Sequence, residues 1–160
     1  MAVDMFIKIG NVGGESKDKA HKGEIDVLAW SWGVSQSGSM HSGGGGGAGK
    51  VNVQDLSFTK WQDASSCELI KAACKGTHIP EALLTVRKAG DKPLEYLKIK
   101  LTNLLVTSVT TGGSGGEDRL TENVTLNFEK FLVDFATQNE KGGEDKKFKV
   151  GWDIAANEEA

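Results

Sequence analysis

Apolar and polar residues alternate with period two along most of this chain, the pattern of strands with one buried face. The stretch VDMFIKI, 3–9, sets Val3, Met5, Ile7 and Ile9 on one side. YLKIKLTNLLVTSV, 96–109, puts Leu97, Ile99, Leu101, Leu105 and Val109 inward, with Lys98, Lys100, Thr102 and Ser108 outward. KFKVGWDI, 147–154, repeats the pattern with Phe148, Val150, Trp152 and Ile154. Two runs change phase midway. Val51 and Val53 have the opposite parity to Leu56 and Phe58, and Val124, Leu126 and Phe128 give way to Phe131, Val133 and Phe135. A one-residue slip inside a continuing apolar run predicts a β-bulge near Asp55 and another near Glu129. Bulges bend strands, and strongly bent strands let a sheet close on itself. The expected architecture is a mainly β, single-domain barrel over 1–160, built as two packed, strongly bent sheets.

One segment breaks the period. SSCELIKAACKG has Ser65 three residues before Glu68, a capping-box spacing. Leu69, Ile70, Ala73 and Cys74 follow as an apolar stripe at helical spacing, and Lys71 and Lys75 favour the negative end of the helix dipole. Gly76 supplies the stop. This predicts one short helix over 65–75 that plugs or flanks the barrel. Cys67 and Cys74 fall two turns apart on it, ~10.5 Å along the axis, beyond the roughly 7 Å a disulfide spans. They are expected to be reduced, buried thiols.

The segment IDVLAWSWGVSQ, 25–36, places Leu28, Trp30, Trp32 and Val34 on one face, where the tryptophans are expected to fill the core. The opposite face holds Ile25, Val27, Ala29, Ser31 and Gly33, ending small and uncharged. A face without charge suits an interface or a smooth channel wall better than open solvent. The remaining segments, 10–23, 36–50, 110–118 and 137–146, read as long glycine-rich loops. No internal repeat or linker divides the chain.

Candidate chemistry changes this picture little. HSGGGGGAGKVNV, 41–53, carries Gly44, Gly49 and Lys50 at the spacing of a phosphate-binding loop. Val51 stands where a hydroxyl would hold Mg²⁺, and the residues that follow alternate like a strand rather than opening a helix toward phosphate. GGSGG, 112–116, matches the letters of a nucleophile elbow but leads into another strand, not a helix. Glu117 and Asp118 are chain neighbours and point apart, so they cannot share a substrate as an acid–base pair. His21, His41 and His78 lie in expected loops, without a Cys or carboxylate at metal-ligand spacing. No catalytic residue, cofactor or metal site is expected, and ATP binding is rejected.

Composition bounds the rest. The 160 residues include 21 glycines and 2 prolines, with a net charge of −3. An acidic chain lacking a basic stripe is a poor nucleic-acid binder. No apolar run reaches the ~20 residues of a membrane span, and MAVDMFIKIGN does not read as a signal peptide. The protein is expected to fold in the cytoplasm, and DIAANEEA after the last expected strand leaves no room for an enzymatic extension.

Several segments together resemble the haemolysin-coregulated protein (Hcp) family, the tube subunits of the bacterial type VI secretion system. They are MFIKIG, GEIDVLAWSWGVSQSGSMHSGGGGGAGKVNVQDLSFTKW, LTVRKAG and TGGSGGEDRLTENVTLNFEK. The similarity runs over essentially the whole chain and is strongest at 24–61 and 108–130. The resemblance implies a β-barrel with one helix and a homo-hexameric ring that stacks into a tube within a contractile sheath. It also implies effector proteins bound in the lumen, a spike trimer at the tube tip, and secretion without a signal peptide. On that basis Ser31 is expected to line the lumen. The loop comprising Gly38, Ser39, Met40, His41, Ser42, Gly43, Gly44, Gly45, Gly46 and Gly47 is expected to contact the next ring, its glycines allowing close backbone approach. The competing expectation is a stand-alone β-barrel that binds a small ligand in its interior.

Overall fold

The computed structural model describes residues 3–38, 40–41, 49–90 and 93–160. The chain forms β1 (Val3–Ile9), β2 (Ile25–Ser31), β3 (Val34–Ser35), β4 (Asn52–Val53), β5 (Leu56–Trp61), α1 (Ser66–Lys75), β6 (Ile79–Lys88), β7 (Leu94–Gly112), β8 (Thr121–Gln138), β9 (Glu144–Asp153) and β10 (Glu158–Glu159). The main sheet runs β10-β9-β8-β5-β2-β1-β6-β7, and β8 also pairs with β7. That second pairing closes six strands into a barrel. All the pairings are antiparallel, as hairpin-connected strands allow. Ile7, Ile9, Ile25, Leu56, Phe58, Leu84, Leu101, Leu104 and Leu126 are buried inside it, with Leu69 of α1 joining the same core.

Both expected phase slips are present. A break at 54–55 separates β4 from β5, so Val53 pairs with β3 while Leu56 and Phe58 turn into the barrel. In β8, Val124, Leu126 and Phe128 are buried, and burial then resumes at Phe131. The β7–β8 ladder steps over Asn103 and Glu129, where Asn103 adopts φ 53° and its Nδ2 donates to Glu129 Oε2 at 2.7 Å. The same step moves the phase of β7. Leu104 and Val106 are buried and Leu105 is only half-buried, against the expectation that Leu105 points inward. The register itself is kept across Asn103 and Glu129, with Thr102 opposite Lys130 and Leu104 opposite Phe128; the bulge expected near Glu129 is instead a register shift between Val106 and Ser108. β7 also continues to Gly112 and β8 to Gln138, so the expected loops 110–118 and 137–146 are shorter than the glycine content suggests.

β2 holds a third slip that its sequence hides. The register shifts between Val27 and Ala29. Ile25 and Val27 are therefore buried with Trp30 and Trp32 packed on the core, whereas Leu28 is turned outward. The two tryptophans do face the core, but Leu28 does not share their side.

α1 spans Ser66–Lys75 and ends at Gly76 in the left-handed conformation, as its sequence predicts. The capping box does not form. Ser65 makes no side-chain cap bond; its N–H and hydroxyl both donate to Asp63 Oδ1, and Asp63 N donates to Ser66 Oγ at 3.0 Å. Asp63 and Ser66 thus organise the first turn. Cys67 and Cys74 are exposed, not buried, because the face that α1 buries carries Ser66, Leu69 and Ala72.

Candidate functional site

The outward positions of four neighbouring strands make one unusual surface. Ser31 of β2 stands opposite Ser57 of β5, Ala29 opposite Thr59, Ser57 opposite Thr125 of β8, and Thr59 opposite Asn123. β7 continues the row, with Ser108 opposite Thr125 and Thr110 opposite Asn123. None of these side chains is charged. They hydrogen-bond across the strands: Thr59 Oγ1 donates to Asn123 Oδ1 at 2.6 Å, and Thr125 Oγ1 lies 2.7 Å from the hydroxyls of both Thr107 and Ser108. At the border, the Asp55 carboxylate accepts from Thr107 Oγ1 at 2.8 Å and Asn127 Nδ2 at 2.9 Å. Ser31 is exposed on this face. These short hydroxyl and amide side chains are bonded to one another across the strands and carry no charge.

The barrel wall behind this face is braced by a buried ion pair. Lys60 and Glu122 are both 0% exposed and bonded to each other, and Lys60 Nζ also lies 3.0 Å from Asp63 Oδ1. Ser66 Oγ of α1 donates to Glu122 as well. Desolvated charges need such partners, and this network ties the α1 N-terminus to β5 and β8.

Segment 10–24 folds over the outer side of β1, where Phe6 is buried although it faces away from the barrel. His21 stacks on the Phe6 ring at 4.5 Å, with Nδ1 2.9 Å from Glu24 and Nε2 2.6 Å from Glu95. Arg87 lies over the same ring and binds Asp18 at 2.6 Å and Asp4 at 3.1 Å. The Arg87 bond pulls the Asp18 carboxyl down to about 2. Burial disfavours a charged His21, but its bonds to Glu95 and Glu24 outweigh burial and raise its pKa above the ordinary histidine value. His21 is thus a buried anchor, in contrast to the exposed loop histidine its sequence suggests. Its partner Glu95 lies far along the chain, so no local motif signals the contact.

Of the expected ring-contact loop, Gly38, Met40 and His41 are exposed, Met40 at 77%. Ser39 and Ser42 through Gly47 lie outside the described residues. The loop joins β3 to β4, a two-stranded arm separate from the barrel sheet. Lys50 is exposed, and the next element is strand β4, so no helix N-terminus faces it. His78 lies 3.3 Å from Asn103 on the surface, apart from His21. Among the described residues no helix is long and apolar enough to cross a membrane.

Comparison with known proteins agrees with this geometry. The family described as "Type VI secretion system effector, Hcp" matches residues 6–135. Protein hcp1 of Pseudomonas aeruginosa is 65% identical over 162 aligned positions, covering all of both chains. The crystal structure of Hcp1 from Salmonella typhimurium superposes with a TM-score of 0.83 at 41% identity, over 100% of each chain. A further solved structure, of a type six secretion system protein, reaches a TM-score of 0.93 at 33% identity, over 99% of this chain and 100% of the other. With its six-stranded barrel, single helix and matching sequence, the chain belongs to the Hcp family of type VI secretion proteins.

Proposed function

We infer that the protein is a non-enzymatic building block of the type VI secretion tube. Six copies form a ring, rings stack into a hollow tube, and the uncharged face around Ser31 lines the bore. The observation that carries this reading is the row of mutually bonded serine, threonine and asparagine side chains on β2, β5, β8 and β7. A wall of that chemistry lets effector proteins occupy the lumen and slide out. The barrel's own interior is filled by side chains, which favours cargo held within the ring over a small ligand held within the barrel. The sheath outside the tube and the spike trimer at its tip are the other partners, and the chain leaves the cytoplasm without a signal peptide.

The test uses Ser31→Gln, which places a longer side chain on the smooth face. Rings are expected to stay intact by electron microscopy while co-purification of an effector falls; unchanged cargo binding would remove Ser31 from the lumen wall. For the arm, replacing 43–47 with a short turn is expected to preserve single rings and abolish longer tubes. Tubes of unchanged length would mean that this loop does not join rings.

A further inference from the structure

α1 turns an uncommon ridge to solvent. Its buried side carries Ser66, Leu69 and Ala72, and Cys67 and Cys74 are both exposed on the opposite side. Free cysteine is among the residue types most often buried, so two on one exposed ridge are unusual. Seven helical residues make two full turns less about 20°, so the thiols stand almost in line, ~10.5 Å apart along the axis. Ile70, 40% exposed, and the exposed Lys71 flank that line, one on each side. Glu68 and Lys75 lie beyond Lys71, and both are exposed.

The spacing forbids a bond within one chain, since a disulfide needs Cα atoms within roughly 7 Å. It suits bonds between two chains. When two copies of α1 lie antiparallel about a two-fold axis at the middle of the ridge, Cys67 of each stands level with Cys74 of the other. At an interaxial distance of ~10 Å and a Cα radius of ~2.3 Å, facing Cα atoms are ~5.4 Å apart. That lies within the ~4.4–6.8 Å of a disulfide. The same symmetry places the other side chains. The two Ile70 side chains meet, ~1.5 Å out of level, and each Glu68 comes beside the second copy's Lys75, ~3 Å out of level. The two Lys71 ammonium groups are brought near each other, which opposes the contact. The ten residues of α1 offer a strip of roughly 15 Å by 10 Å, far below the ~800 Å² per partner of a standard interface. Burial alone is too small to hold the copies together, so the pairing depends on its disulfides.

We propose that the α1 ridge is a redox-controlled contact between two copies of this chain, closed by disulfides from Cys67 of each to Cys74 of the other. Reducing surroundings keep the thiols free, and a low-molecular-weight disulfide of the glutathione type closes the contact. The Cys67 thiolate attacks that disulfide, expelling one small thiolate and leaving a mixed disulfide. The second copy's Cys74 thiolate then displaces the other small thiolate. For each bond formed, two protein thiols are oxidised and one small disulfide is reduced to two small thiols, which take up the two protons. The contact needs no ring; export under the proposed function sets only when the oxidant is met.

The test treats the purified protein with oxidised glutathione, blocks the remaining thiols, and separates the chains by denaturing electrophoresis without reductant. Wild type is expected at two chain masses, returning to one when reductant is added. Lys71 lies between the cysteines, so tryptic cleavage after it separates them, and the dimer is expected to yield peptides joined from Cys67 to Cys74. Cys67→Ser alone and Cys74→Ser alone are each expected to lose the dimer, and an equal mixture of the two variants to regain it. A dimer that survives in either single variant, a Cys67–Cys74 link confined to the one-chain band, or glutathione adducts without dimer each overturns the inference. The readout is covalent and made on denatured chains, so a protein that forms this dimer but no rings counts against the ring reading and leaves the inference standing.

Discussion

Lys60→Met should be among the costliest substitutions in this barrel, and its cost should depend on pH. In the native chain the Lys60 ammonium neutralises Glu122 in a site where neither side chain touches solvent. Removing it leaves a carboxylate buried with only the Ser66 hydroxyl for company. Breaking a buried pair from one side costs about 3–5 kcal/mol. An independent ceiling comes from protonation, because a stranded carboxylate can shed its charge. Holding a glutamate of ordinary acidity protonated costs ~3.7 kcal/mol at pH 7 and ~1 kcal/mol at pH 5. Lys60→Met should therefore lose about 3–4 kcal/mol at pH 7 and markedly less at pH 5. Glu122→Gln should be milder, since Lys60 keeps Asp63 at 3.0 Å. The double variant Lys60→Met, Glu122→Leu should recover most of the loss, because no charge is left buried. Urea unfolding at both pH values and a fixed protomer concentration measures all three, assembly being linked to stability by mass action. A loss below about 1 kcal/mol at pH 7, or an equal loss at both pH values with no recovery in the double variant, would refute the reasoning.

Other outcomes follow from single contacts. The raised His21 pKa means that its anchoring of segment 10–24 is fully present below the ordinary histidine value and is lost as pH rises through the folded value. Amide exchange in 10–24 should accelerate between pH 6 and pH 9 beyond its intrinsic rate, and His21→Gln should abolish that extra pH dependence. Asn103→Val should destabilise by about 1–2 kcal/mol because a β-branched residue resists positive φ, whereas Asn103→Gly should change the urea midpoint far less. Gly14→Ala should loosen the same segment, since an added Cβ would sit 2.4 Å from the Glu24 carbonyl oxygen; proteolysis of native protein within 10–24 reports it.

The barrel was legible because period-two alternation and two parity changes, near Asp55 and Glu129, can be read without knowing any neighbour. The slip at Asn103 was not, since Leu104, Leu105 and Val106 are all apolar and either phase satisfies the pattern. The β2 slip was masked in the same way, with Val27, Leu28 and Ala29 giving no contrast. The small, uncharged outer side of β2 was visible around Ser31. Its continuation through Ser57, Thr59, Asn123 and Thr125 required the strand pairing. His21 defied its loop context because Phe6, Glu95 and Arg87 come from three other strands. β9 looked like ordinary core in sequence: Phe148 and Val150 alternate as buried residues do, and only the topology shows that this strand lies outside the closed barrel.

The central claim is that this chain works as a ring whose bore is the uncharged face around Ser31. Negative-stain electron microscopy of the purified protein tests it most directly. The account predicts closed rings of about six subunits, each of 17.1 kDa, with an open central channel. A field of single particles of one chain's mass, with no rings at any concentration, would contradict it.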